Sequence, residues 1–132
     1  MPRMFRAMKK SEDDKPTVGR GFCELGVRTS EIDTDSEGNA IPNEKGMSVA
    51  PHWRLLSLFV MPRRLVAGGR GKNTHCFRRG DGEFRQEACG NGLELVPDSV
   101  NHGVVRPAAA VPLATFLQDL ANTRDEWVID ES

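Results

Sequence analysis

Helix periodicity occurs once in this chain. From Val111 to Asn122, the residues Leu113, Phe116, Leu117 and Leu120 fall on one stripe, and Pro112 suits a first turn. Every other apolar stretch is short and lies beside glycine or proline, of which the 132 residues hold 13 and 8. A chain punctuated that often cannot form a helical bundle. The expected fold class is α+β: two small antiparallel sheets with few helices, in one domain over residues 1–132.

The strands can be placed by alternation and by their breakers. Pro2 to Met8 reads as a first strand, with Met4, Arg6 and Met8 on one face and Arg3, Phe5 and Ala7 on the other. Ser11 to Lys15 is a charged turn, and Phe22 to Val27 is an apolar patch too short to type. Arg28 to Lys45 is almost wholly polar and holds Gly38 and Pro42, so a long loop is expected there. Gly46 to Ala50 is a short strand stopped by Pro51. His52 to Met61 fits neither period before Pro62 ends it. Asn73 to Arg78 suits a strand. Gly92 to Val96 and Gly103 to Arg106 are the clearest strands, with Pro97-Asp98-Ser99 expected as the turn between them. Trp127-Val128-Ile129 can add an edge strand.

Composition excludes several functions. With 18 Lys and Arg against 19 Asp and Glu, the net charge is -1, so the chain is no general polycation for nucleic acid. Tyrosine is absent and aromatics are 6%, which argues against a stacking platform for single strands. A mean hydropathy of -0.47 describes a water-facing surface. The longest apolar run, Leu55 to Met61, holds a serine and falls far short of the about 20 residues a membrane helix needs, so no membrane insertion is expected. The start, Met1-Pro2-Arg3-Met4-Phe5-Arg6, has no apolar stretch behind it and is not an ordinary secretory signal. Cys23, Cys76 and Cys89 are an odd number without a C-x-x-C pair, which fits buried thiols in a reducing, cytoplasmic compartment better than disulfides or zinc. No metal is assigned.

Charge is unevenly spread. Residues 52–85 hold eight basic residues and two acids, whereas residues 86–132 hold two basic residues and eight acids. The basic stretch can meet a phosphate-bearing ligand, or the two regions can face each other across the fold.

Three motifs fail on their own chemistry. Asp33, Asp35, Glu37, Gly38 and Glu44 occupy positions one, three, five, six and twelve of the EF-hand template. Glutamate at position five, Pro42 inside the loop and the lack of flanking amphipathic helices count against calcium. Gly46-Met47-Ser48-Val49-Ala50 approaches the G-x-S-x-G elbow of hydrolases, but Pro51 forbids the helix that must follow. Gly68-Gly69-Arg70-Gly71-Lys72 would need glycine at Val66 and Ser or Thr at Asn73 to cradle phosphate, so a glycine-rich hairpin tip is expected.

Two residues remain. Arg6 lies in the middle of an apolar strand, where a partly buried guanidinium needs an anion: a ligand or one of the chain's carboxylates. His102 opens the strand His102-Gly103-Val104-Val105-Arg106-Pro107 and suits either a structural or a chemical role.

Taken in order, Phe5-Arg6-Ala7, Gly46-Met47-Ser48-Val49 and His102-Gly103-Val104-Val105-Arg106-Pro107-Ala108 resemble a family of small bacterial toxins delivered by type VI secretion. That family's fold is the fold of NAD-dependent ADP-ribosyltransferases. The likeness is closest from Pro97 through Leu120.

The resemblance implies an NAD-dependent transferase toxin that transfers ADP-ribose, or cleaves NAD, in the cytoplasm of a target cell. It implies Arg6 on the NAD phosphate or ribose, Ser48 on the nicotinamide ribose, and His102 as a third catalytic group. Gly46 and Arg106 would join Arg6 and Ser48 in holding NAD, and a cognate immunity or antitoxin protein would be the partner. The chain departs from the wider transferase pattern in having no late Glu-x-Glu pair, because Glu94 is followed by Leu95 and Val96. Two other classes stay open: a non-catalytic module holding a nucleotide or nucleic acid through the basic stretch, and an antitoxin or interaction domain whose acidic tail covers a partner.

Overall fold

The computed structural model describes residues 1–67 and 71–132. In chain order the strands are β1 (Met4–Met8), β2 (Asn39–Ala40), β3 (Met47–Val49), β4 (His75–Arg79), β5 (Glu87–Gly90), β6 (Leu93–Ser99), β7 (His102–Pro107) and β8 (Val111–Pro112). Helix α1 (Leu113–Ala121) and β9 (Val128–Ile129) complete the order. The architecture is mixed α+β, mostly small antiparallel sheets with one α-helix among the described residues. No helix there is long and apolar enough to cross a membrane.

One sheet has the order β1-β4-β9 and a second has the order β3-β7-β6-β5; β2 and β8 form a small pair. All five residues of β1 are buried. It pairs antiparallel with β4, Met4 opposite Arg79 and Met8 opposite His75. Its other edge reaches the end of β3 through two backbone hydrogen bonds, Phe5 N–H to the Ala50 carbonyl at 2.8 Å and Ala50 N–H to the Phe5 carbonyl at 2.9 Å. That bridge joins the two sheets and brings Arg6 beside Ser48. The core draws on the whole chain, with Met4, Met8, Leu25, Met47, Phe77, Leu95, Phe116 and Trp127 in one buried cluster.

Three expectations shift. The helix starts at Leu113, two residues later than its stripe suggests, because Val111 and Pro112 are taken by β2 as strand β8. Phe116 and Leu120 are its buried residues. The turn between the clearest strands is not Pro97-Asp98-Ser99: those residues extend β6, and the chain reverses at Val100 and Asn101. Proline is tolerated there because β6 has already run past β5, whose pairing ends opposite Leu95, and the register slips between Pro97 and Ser99. Residues 28–45 are loop for most of their length, with one 3-10 turn at Thr29–Glu31 and the short β2. Of the glycine-rich tip, residues 68–70 lie outside the described residues.

Part of the uneven charge is spent inside the fold. Arg78 pairs with Asp130 at 2.7 Å and Arg79 with Glu126 at 3.0 Å, and Arg64 pairs with Glu131. Each joins the basic stretch to the acidic C-terminal region.

Candidate functional site

Arg6 is 9% exposed, and its guanidinium is held by two backbone carbonyls, not by a carboxylate. Nη1 donates to the Ser48 carbonyl at 2.8 Å and Nη2 to the Glu24 carbonyl at 3.0 Å. Nε is buried without a partner. Of the two anions the sequence left open, a chain carboxylate is not in contact: among the described residues the charge has no direct ion pair. Burial pulls the guanidinium below its ordinary pKa, and the Glu31 carboxylate nearby opposes the shift.

Arg6 forms part of a cleft of about 230 Å³ that Ser48 and His102 also line. Three positions far apart in sequence therefore meet in one concavity at the junction of the two sheets. On the sheet, Ser48 lies opposite Val104, and His102 is two residues before Val104 on β7. Strand alternation puts Ser48 and His102 on one face as diagonal neighbours, about 7–8 Å apart at the backbone. The Ser48 hydroxyl makes no hydrogen bond among the described residues. His102 Nδ1 lies 2.9 Å from both carboxylate oxygens of Asp98, which leaves Nε2 without a hydrogen-bond partner among the described residues.

Residues that the sequence did not single out complete the walls. Phe22, Cys23, Arg28 and Glu31 come from the loop preceding β2, and Leu55, Leu56, Ser57 and Val60 from the segment after Pro51. Glu31 is the one carboxylate in this lining; its Oε1 accepts the Arg28 N–H at 2.8 Å and lies 3.3 Å from Arg28 Nε. The Phe22 ring is held edge-on to Phe59 at 5.6 Å. Cys23 adopts φ +58°, an uncommon backbone for a side chain with a Cβ, and its thiol pKa is pushed up by burial. For Arg28 and Glu31 the hint in the sequence was the long loop expected over residues 28–45; Phe22 and Cys23 lay in an apolar patch too short to type.

Two residues expected to hold NAD lie outside the cleft lining. Arg106 is four residues beyond His102 on β7, about 13 Å along the strand. It is engaged by Glu94, with Nε at 3.1 Å from Oε1, and by the Asn43 carbonyl at 3.0 Å. Gly46 is buried at the start of β3, where a Cβ would sit 2.4 Å from the Val105 carbonyl oxygen. Close packing of strands accounts for that glycine.

The calcium pattern is not assembled. Asp33 faces Lys45 at 3.0 Å and Asn43 at 2.8 Å, and Asp35 caps its own turn through the Glu37 and Asn39 N–H groups, both at 2.9 Å. No group of three or more His, Cys, Asp or Glu suited to a metal occurs among the described residues. His75 and Cys76 are neighbours on β4, so alternation turns them to opposite faces.

No family profile, no curated protein and no solved structure matches the chain.

Proposed function

We propose that the chain is an ADP-ribosyltransferase-like toxin domain that binds NAD in the Arg6–Ser48–His102 cleft and breaks its nicotinamide–ribose bond. The observation that carries this reading is the convergence of those three side chains on one cleft at the sheet junction. A buried cation without a carboxylate partner favours an anionic ligand. The cleft is smaller than the about 300–1,000 Å³ of a full ligand pocket, so it takes the nicotinamide ribose with the phosphate beside it, and the rest of the dinucleotide lies outside it.

Breaking the bond develops positive charge on the ribose as neutral nicotinamide leaves with the electron pair. The Ser48 hydroxyl is free to fix a ribose hydroxyl, and Nε2 of His102 is free to take a proton from the acceptor. Glu31 supplies negative charge on the same wall, in place of the absent late Glu-x-Glu pair. Under this reading the toxin meets an immunity or antitoxin protein in the cell that makes it. A nucleic-acid module is disfavoured by the ion pairs that already engage Arg64, Arg78 and Arg79.

The test is a thermal melt with NAD followed by an assay of nicotinamide release, for wild type and Ser48→Ala, alongside bacterial growth on expression of wild type and Arg6→Ala. Specific binding raises the melting temperature by mass action. A wild type that neither binds NAD nor harms its host ends the reading.

A further inference from the structure

From His52 to Ala67 the chain has no acid and carries Arg54, Arg63 and Arg64. Within this segment Leu58 is 60% and Phe59 66% exposed, and Leu55 is exposed beside them. Isolated exposed leucines need no account, but three large apolar side chains within five residues, next to a cleft, do. The cations stand against the apolar groups. Lys72 Nζ is 4.5 Å from the centroid of the Phe59 ring, and the Arg54 guanidinium is 4.6 Å from that of Trp53. Arg63 is joined to Lys72 by backbone pairing, its N–H on the Lys72 carbonyl at 2.9 Å. Arg54, Arg63 and Lys72 make no ion pair among the described residues.

We propose that this face, Leu55 to Phe59 with Arg54, Arg63 and Lys72, docks an acidic partner protein whose own apolar side chains cover Leu58 and Phe59. Charge complementarity chooses the occupant. A second copy meeting face to face would set Arg54, Arg63 and Lys72 against themselves, and the acid at this segment, Glu131, is already held by Arg64. A lipid surface would take up Phe59 only by drawing the Lys72 ammonium, which lies over that ring, toward hydrocarbon. A nucleic acid would leave Leu58 and Phe59 unsatisfied, since its interfaces are mostly polar and charged. Carboxylates alternating with apolar side chains answer both features at once, and aromatic and arginine anchors are where such interfaces concentrate their energy.

The position has a consequence. Leu55, Leu56, Ser57 and Val60 of this same segment line the cleft, and Phe59 packs on Phe22, which lines it too. A partner on this face therefore stands at the cleft mouth and closes it. The surface holds on its own chemistry, whatever ligand the cleft takes.

The experiment selects random displayed peptides on the whole protein and counter-selects on Phe59→Ser. Expected are peptides rich in Asp and Glu with interleaved Leu, Phe or Trp. Their synthetic forms should weaken about tenfold or more on Phe59→Ser and on Lys72→Glu, and should weaken again with added salt. Phe59 is exposed and Lys72 half-buried, so both variants should melt with wild type, which separates lost docking from lost folding. Neutral or basic peptides, no peptide that distinguishes the variants, or equal binding to both variants would overturn the proposal. So would tighter, Phe59-dependent binding of phosphatidylglycerol vesicles or of an oligonucleotide, or a dimer in sedimentation that Phe59→Ser dissolves.

Discussion

Replacing Arg6 by methionine separates a strut from a receiver of ligand charge. The substitution removes two hydrogen bonds from a charged donor, to the carbonyls of Ser48 and Glu24 at 2.8 and 3.0 Å. At about 1.5–3 kcal/mol each, the gross loss is about 3–6 kcal/mol. Against it stands the desolvation of a guanidinium that is 9% exposed, has no carboxylate partner and keeps Nε unpaired; this costs several kcal/mol in the wild type and vanishes in the variant. Methionine also fills much of the same volume with apolar surface, and Ser48 borders a cleft that water can enter to satisfy its carbonyl. The net destabilisation should therefore stay below about 2 kcal/mol, a urea midpoint lower by roughly 1 M or less. Under the proposed function, NAD binding should behave differently. Ligand at a hundred times its Kd adds about 2.7 kcal/mol to the wild type, which is roughly 8–13 °C for a domain of this size, and the variant should show no such rise. Urea denaturation and melts with and without NAD measure both quantities. A loss above about 4 kcal/mol would mean that Arg6 is a structural strut, and an undiminished NAD shift in the variant would refute the assignment outright.

Ser48→Ala should cut nicotinamide release at least about tenfold while leaving the NAD-induced melting shift nearly intact, as expected for a group that acts mainly in the transition state; His102→Ala should lower the same rate. Gly46→Ala should destabilise by about 1–3 kcal/mol in thermal melts, because its Cβ would stand 2.4 Å from the Val105 carbonyl oxygen. Cys76 and Cys89 are buried, with thiol pKa values pushed up to about 12 and about 11, so both should resist a thiol reagent until denaturant is added. Burial holds His52 and His75 below their ordinary 6.5, so the unfolded chain takes up protons that the fold resists. The melting temperature should then fall as pH drops through 6.5 and fall further below 3.8, where Asp13, held low first by Arg124, and Asp33, held low first by Lys45, lose their bonds.

Elements whose own residues carry the signal were legible: β1, β3, β4, β7 and the stripe of α1. Their apolar alternation or helical spacing is bounded by proline, glycine or a charged turn, and local chemistry settles them. The sequence hid β5. Glu87-Ala88-Cys89-Gly90 has no β-branched or aromatic residue and is a strand only because β6 lies beside it. The misplaced turn has the same origin. Pro97 looks like a breaker when read alone, yet Gly103 across the ladder holds it in a strand.

The site divides along the same line. Arg6 was visible as a cation in the middle of an apolar strand and His102 as the residue that opens one, whereas Ser48 was visible through the likeness of Gly46-Met47-Ser48-Val49. Arg28 and Glu31 were not visible because loop residues are expected to be polar and attract no question, and Phe22 lay in an apolar patch too short to type. What places them is a tertiary contact: the Arg6 guanidinium takes the Glu24 carbonyl and so draws the 18–25 loop against β1. The same guanidinium takes the Ser48 carbonyl and so fixes β3 against β1. One buried cation thus orders two walls of the cleft in which it stands. A chain that needed only to join those walls could do so with a neutral donor. Keeping a charge there, with one nitrogen unpaired and no carboxylate in contact, is a cost that stability does not require. A negatively charged ligand would offset it, and that asymmetry ties the architecture of the cleft to its chemistry.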